Sequence, residues 1–90
     1  MKSIESLINP NKKIYVKIKN DEICKVFFAQ AENEGFIFGD GAKPTTKHPS
    51  DLIAVLPDKT LCYVNAYGRI AMQSGAENII VYDCEKIFAD

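Results

Sequence analysis

Residues 20–38 read NDEICKVFFAQAENEGFIF and predict a helix that leads directly into a strand. Asn20 is a good N-cap residue, and the acidic Asp21 and Glu22 suit the positive end of the helix dipole. At about 100° per residue, one face of this helix is apolar and aromatic, formed by Ile23, Cys24, Phe27, Phe28 and Ala31. Gly35 can adopt the left-handed conformation that ends many helices, so the chain can reverse at Phe36. We expect this helix to cover a sheet built by the rest of the chain.

Short runs with strand character surround the helix. Residues 14–19 alternate, with Ile14, Val16 and Ile18 on one side, as in a half-buried strand. Residues 36–38, 52–56, 61–65, 70–73 and 78–84 are further predicted strands, and the turn at 57–59 joins two of them as a hairpin. The order predicts an α+β fold, with one main helix packed on a mostly antiparallel sheet of five to six strands in two layers.

The chain has 90 residues, which predicts a single domain over 1–90 because this length supports one hydrophobic core. Residues 1–12 form an N-terminal segment, in which residues 2–8 are long enough for a short helix before the turn at 9–11. Residues 39–50 form a long loop, since most connections have about four to six residues.

Composition narrows the functional class. No apolar run approaches the roughly 18 residues that span a bilayer, and the first residues lack the apolar core of a signal peptide. Three cysteines cannot all pair with one another, so we expect free thiols and a cytoplasmic location. The net charge is −1, which argues against a strongly basic nucleic-acid binder, although residues 1–25 carry +3 and residues 26–90 carry −4.

Catalytic cysteine chemistry has little support in the sequence. Cys24, Cys62 and Cys84 lie in apolar runs, which is typical of structural cysteines. His48 is the only histidine and lies in the 39–50 loop, where it is the one imidazole that a thiol enzyme could use. We therefore expect a protein that is not an enzyme and has no catalytic residues.

The 39–50 loop also lacks a known ligand motif. Its glycines and Lys43 differ from a phosphate-binding loop, because Pro44 follows the lysine and no helix is predicted after it. The spacing of Asp40, His48 and Asp51 matches no common zinc or calcium pattern. We expect no metal and no cofactor.

Two groups of side chains are candidate binding residues. The first lies on one face of the predicted strand, where basic side chains interleave with an aromatic ring that could stack a base: Lys13, Tyr15, Lys17 and Lys19. The second lies in the long loop: Asp40, Lys43, Lys47 and His48. The candidates for the sheet face opposite the helix, subject to strand register, are Tyr15, Tyr63, Tyr82 and Arg69.

Three fragments carry a resemblance to other proteins: EGFIFGDG at 34–41, KPT at 43–45 and DKTLCYV at 58–64. With them the chain resembles small uncharacterised proteins encoded on phages and mobile elements of gut Firmicutes, over most of residues 14–84. The resemblance implies no established activity. It implies an accessory protein that acts inside a bacterial cell.

The leading functional hypothesis is a non-enzymatic module that binds another protein, as an accessory or inhibitory factor of a mobile element. Its candidate contacts are the loop at 40–48 and the outward tyrosines. The alternatives are a nucleic-acid-binding module that uses the lysine and tyrosine strand face, and a small thiol enzyme. We expect no membrane partner. A homodimer is a further expectation, because one helix leaves the other face of a small sheet open.

Overall fold

A computed structural model describes residues 3–88 of the chain. Its sheet contains the strands β1 (Lys13–Lys17), β2 (Ile37–Phe38), β3 (Leu52–Val55), β4 (Thr60–Tyr63) and β5 (Ile79–Asp83). The helices are α1 (Asp21–Asn33), α2 (Ala66–Gln73) and α3 (Cys84–Phe88), with short 3₁₀ turns at Glu5–Leu7 and Pro44–Thr46.

The strands form one sheet in the order β2-β4-β3-β1-β5. Strand β3 pairs antiparallel with both β1 and β4 at the centre, and the β3–β4 hairpin is as predicted. The two edge strands are added in parallel, β5 beside β1 and β2 beside β4. The predicted α+β fold, with one main helix on a five-stranded sheet, is confirmed.

Two crossover connections place the helices on opposite faces of this sheet. The unit β1-α1-β2 moves toward one edge, and the unit β4-α2-β5 moves toward the other. Each unit joins strands that run in the same direction, since only β3 is reversed. Right-handed crossovers that travel in opposite directions across a sheet must lie on opposite faces. The two hydrophobic clusters follow this division, one beneath α1 and one beneath α2.

Helix α1 supplies most of the core. The Asn20 side chain accepts a hydrogen bond from the Ile23 amide at 2.9 Å, and Gly35 takes the positive φ of 88° after the helix ends. Phe27 and Phe28 are fully buried, and they pack on the sheet face formed by Ile14, Val16, Ile18, Ile53, Val55 and Leu61. Burial of each large apolar side chain contributes about 1.5 to 3 kcal/mol. The helix and the strand at β1 were predicted correctly, but the burial of β1 does not alternate as predicted, because Ile14, Tyr15 and Val16 are all buried.

The N-terminal segment packs against the end of α1. The carboxylate of Glu34 accepts hydrogen bonds from the amides of Ile4 and Glu5, at 2.9 and 2.8 Å. Ile4 and Leu7 are buried in the α1 core. Only residues 5–7 are helical, as one 3₁₀ turn, and the part of the predicted helix at residue 2 lies outside the described residues.

The prediction of a strand at residues 70–73 is wrong, because these residues belong to α2. The Asn65 side chain accepts a hydrogen bond from the Gly68 amide at 2.9 Å and caps the helix. Four alternating residues are too few to separate strand from helix by periodicity. A connection between parallel strands, from β4 to β5, also needs a crossover, and a helix is its usual form.

Gly68 brings α2 close to the sheet. A Cβ atom at this position would lie 2.7 Å from Cγ1 of Val64 and 2.9 Å from the Tyr15 hydroxyl oxygen. Both neighbours are buried, so neither can move away easily. The lack of a side chain at Gly68 therefore allows α2 to lie this close to the sheet face opposite α1.

We expect Gly68→Ala to lower the free energy of unfolding, by up to about 2 kcal/mol. Overpacking costs about 1 to 3 kcal/mol, and the helix-propensity gain of about 1 kcal/mol offsets part of this cost. Urea denaturation measures the change. Gly39→Ala is the matched control, because no atom lies within 4 Å of its added Cβ. Stabilisation by Gly68→Ala would contradict the close approach.

Candidate functional site

A groove of about 320 Å³ lies between α2 and the second face of the sheet. It is lined by Lys13, Tyr15, Ala54, Cys62, Tyr63, Val64, Asn65, Tyr67, Gly68 and Ala71. A second depression of about 190 Å³ continues from it across the sheet toward Leu56, and the two share Lys13, Tyr15, Ala54 and Cys62. We call the two together the α2 groove.

The α2 groove exists because α2 is short and covers only part of the second face. The helix has eight residues, none of them buried. Its Tyr67 side chain is 84% exposed and its Ile70 side chain is 63% exposed. These two residues are three positions apart, so they lie on the same side of the helix. The groove is therefore lined by one exposed aromatic side chain, Tyr67, and a second exposed apolar side chain lies near it on the same helix.

Polar contacts hold α2 in this position. The Arg69 guanidinium donates to both carboxylate oxygens of Asp51, at 2.7 and 3.2 Å, and so ties α2 to the residue before β3. The Asn65 side chain caps the N-terminal end of the helix. The hydrogen bond from Arg69 lowers the pKa of Asp51 below its ordinary value.

The groove carries little charge. Lys13 is the only charged residue among those that line it. Cys62 is half-buried on its floor, and burial raises the pKa of this thiol. A binding partner would therefore contact a surface that is mainly apolar and that includes the exposed Tyr67 ring.

The predicted lysine and tyrosine face is not available as one surface. Lys13, Tyr15 and Lys17 do share a face of β1, and both lysines are exposed. The prediction that Tyr15 points outward is wrong, because α2 covers it and leaves it 6% exposed. A buried ring cannot stack on a base.

Acidic residues also surround the lysines at the other end of β1. Lys17 and Lys19 line a cleft of about 300 Å³ together with Asp51, Asp83 and Glu85. Lys19 lies 3.8 Å from the Glu85 carboxylate. The basic patch that the N-terminal charge predicts is therefore offset by acids from later segments of the chain.

The 39–50 loop is fastened to the fold. The Lys47 ammonium contacts the Asp40 carboxylate at 2.5 Å and lies 5.0 Å from the centroid of the Phe38 ring. The hydrogen bond from Lys47 lowers the pKa of Asp40. Of the four loop candidates, Asp40 and Lys47 are thus engaged with each other, while Lys43 and His48 are exposed.

Two further contacts anchor this loop. The Thr45 hydroxyl donates to the Glu32 carboxylate on α1 at 2.7 Å, and the Tyr63 hydroxyl donates to the His48 carbonyl at 2.7 Å. Pro44, which precedes Thr45, is buried. The loop closes one end of the α1 core rather than reaching out from the surface.

Two of the candidate tyrosines lie on the other side of the sheet. Tyr63 pairs opposite Ile53, and its ring lies 5.3 Å from that of Phe38, on the α1 side. Tyr82 packs against the same core cluster. Both were candidates for the face opposite α1, subject to strand register, and the register places neither of them there. Tyr67 and Ile70 were not among the sequence candidates, although the Asn65 cap and their three-residue spacing could have indicated them.

The cysteines lack the environment of a nucleophile. Cys24 and Cys84 are fully buried, and burial raises the pKa of both thiols, that of Cys84 to about 12. A reactive cysteine needs an exposed site that stabilises its thiolate. His48 offers no such help, because its segment is held on the α1 side by Tyr63, whereas Cys62 faces the α2 groove.

Within residues 3–88, no three histidine, cysteine, aspartate or glutamate side chains are grouped so that they could hold a metal ion. None of the helices in this part of the chain is long and apolar enough to cross a membrane.

Comparison with protein-family models, curated proteins and solved structures found no match to this chain. The resemblance to proteins of phages and mobile elements stays a prediction.

We expect Asp51→Asn to weaken the attachment of α2 and to lower stability by about 0.5 to 1 kcal/mol at pH 7, the upper range for an exposed ion pair. The folded-state pKa of Asp51 is lowered, so its contribution is present above the unfolded pKa of about 4 and lost as pH falls through the folded value. Urea midpoints of wild type and variant should differ at pH 7 and converge near pH 2. An equal difference at both pH values would contradict the role of the pair.

We expect Cys24 and Cys84 to react with iodoacetamide only when the protein unfolds, while Cys62 reacts slowly in the folded state. With a pKa of about 12 for Cys84, roughly one thiol in 10⁴ is ionised at pH 8. Mass spectrometry of peptides from labelled protein gives the rate at each site, and urea-unfolded protein is the reference. Rapid labelling of any cysteine in the folded protein would support the alternative that the protein is a thiol enzyme.

Proposed function

We propose that the protein is a small non-enzymatic module that binds another protein through the α2 groove. The observation that carries the proposal is the 84% exposed Tyr67, which lines this groove, together with the exposed Ile70 three positions further along the same helix. An isolated exposed apolar residue is ordinary, but an exposed aromatic ring that lines a depression and has a second exposed apolar residue near it on the same helix is typical of an interaction site.

The chemistry of the groove supports a protein partner. Tyrosine is enriched in protein interfaces, because its ring contributes apolar contact area while its hydroxyl remains available for hydrogen bonding. Ala54 and Cys62 on the floor and Ala71 on the wall leave room for apolar side chains of the partner. The partner we propose therefore presents an apolar segment, which inserts beside α2 and covers Tyr67 and Ile70.

The electrostatics favour a protein over a nucleic acid. Nucleic-acid binding depends on several phosphate contacts and weakens steeply with salt. The α2 groove contributes only Lys13, and the acids near Lys17 and Lys19 repel phosphates. We expect binding that changes little between low and moderate salt.

A module of this kind acts by covering a surface of its partner, so it needs no catalytic group. The proposed role is that of an accessory or inhibitory factor. Its assignment to a phage or mobile element rests on the sequence resemblance alone.

The test compares three tagged proteins: wild type, the double variant Tyr67→Ala/Ile70→Asp, and the control Val26→Asp. Val26 is 56% exposed on α1, so it matches Ile70 in exposure but lies on the opposite side of the sheet. Each protein is incubated with nuclease-treated bacterial lysate at low and moderate salt. We expect a stoichiometric protein to be retained by wild type and by Val26→Asp, and to be lost at least about tenfold from the double variant.

Circular dichroism must show the same helix content in all three proteins. Two results would overturn the proposal: retention of the same partner by the double variant, or recovery of material only when nuclease is omitted. The second result would favour the nucleic-acid alternative.

A further inference from the structure

The two edges of the sheet differ in their protection against pairing with another strand. Strand β2 has two residues and ends at a glycine turn, and very short edge strands resist pairing. Strand β5 has five residues, reads IIVYD, and contains no lysine or proline. Its Val81 side chain is 39% exposed. No other strand among residues 3–88 pairs with its outer side.

The hydrogen bonds of β5 with β1 determine which backbone groups point outward. The Lys13 amide donates to the Asn78 carbonyl at 2.7 Å, and β5 then pairs in parallel with β1. Since inward and outward positions alternate along a strand, residues 78, 80 and 82 direct their backbone groups toward β1. Residues 79, 81 and 83 direct theirs outward. The Ile79 amide already donates to the Ala76 carbonyl, which leaves the Val81 amide and carbonyl central on this edge.

We propose that β5 pairs antiparallel with β5 of a second copy of this chain, centred on Val81. A two-fold axis at Val81 places this residue opposite the partner's Val81 as a hydrogen-bonded pair. In this register all five residues of β5 are paired with the partner strand. The same register places Ile79 opposite the partner's Asp83. The Asp83 amide would donate to the partner's Ile79 carbonyl, so the occupied Ile79 amide is not needed. The two sheets then join into one of ten strands.

Charge complementarity supports a second copy as the occupant. Lys13 lies beside Ile79 in β1, so the pairing sets Lys13, Ile79 and the partner's Asp83 in one row on the same face. The Lys13 and Asp83 Cα atoms would be two strand spacings apart, about 10 Å, which a lysine side chain can bridge. Lys13 forms no ion pair within residues 3–88, whereas Asp83 already lies beside Lys17 of β1 and accepts a hydrogen bond from the Glu85 amide at 3.0 Å, so Lys13 would be a second cation near Asp83. Because of the two-fold symmetry, the pair of Lys13 with the partner's Asp83 occurs twice in the dimer.

This pairing goes beyond the proposed function and does not involve Tyr67 or Ile70. The dimer test and the partner test can therefore fail separately.

Sedimentation velocity over a range of concentrations provides the first test. We expect wild type to show a reversible monomer–dimer equilibrium, and Val81→Lys to raise the dimer Kd by about tenfold or more, because a charge on an edge strand opposes pairing. Val26→Lys, a matched exposed valine on α1, should dimerise like wild type. A wild type that stays monomeric at all concentrations, or equal effects of both variants, would overturn the proposal.

Cysteine cross-linking tests the register. Directly opposed hydrogen-bonded residues have Cα atoms about 5.5 Å apart, within disulfide range, so Val81→Cys should cross-link to itself under mild copper–phenanthroline oxidation. Two Ile79 residues would be about 14 Å apart along the strands, so Ile79→Cys should not. Wild type treated in the same way controls for Cys62. Equal cross-linking of the two variants would overturn the register.

A charge exchange tests the ion pairs without changing the strand edge at Val81. Lys13→Asp should weaken the dimer about tenfold, since it replaces two attractions by two repulsions. The double variant Lys13→Asp/Asp83→Lys should restore it. Failure of the second substitution to restore dimerisation would contradict the proposed row of charges.

Discussion

The burial of the aromatic face of α1 is the constraint on which the rest of the structure depends. Phe27 and Phe28 need a broad apolar surface, and the α1 side of β1, β3 and β4 provides it. To reach β2, α1 must cross over both β3 and β4. The N-terminal segment, the long loop and α3 then fill the margins of the same layer, through Leu7, Pro44 and Ile87. Most of the buried large apolar side chains lie on this face, while Tyr15, Leu52 and Val64 lie on the other.

The opposite face is consequently covered by less material. Only α2 crosses it, and its eight residues must connect β4 to the far edge strand β5. The helix contacts the sheet closely at one place, where Gly68 lies over Tyr15 and Val64. Elsewhere it leaves a gap, which is the α2 groove. The groove is therefore a result of the unequal covering of the two faces of the sheet.

The features that the sequence predicted correctly are those that local chemistry determines. The Asn20 cap, the apolar face of α1, the strand at β1 and the turn at 57–59 are each readable within a few residues. The missed features depend on residues far apart in the chain. Tyr15 alternates like an exposed strand residue, but Gly68 brings a helix over it from 53 positions away. The positive charge of the N-terminal region is similarly offset in the folded protein, because folding places Asp51, Asp83 and Glu85 beside Lys17 and Lys19.

The weak burial of α2 links stability to binding. A helix without buried residues gains little from the hydrophobic effect, so its position depends on the Asn65 cap, the Arg69–Asp51 pair and the contact at Gly68. Segments with few buried apolar contacts open locally at lower free energy than the core does. Under the proposed function, a partner that covers Tyr67 and Ile70 would supply the burial that α2 lacks, and its stabilising effect would grow with the logarithm of its affinity. Binding at α2 would then stabilise a helix that has no buried residues of its own.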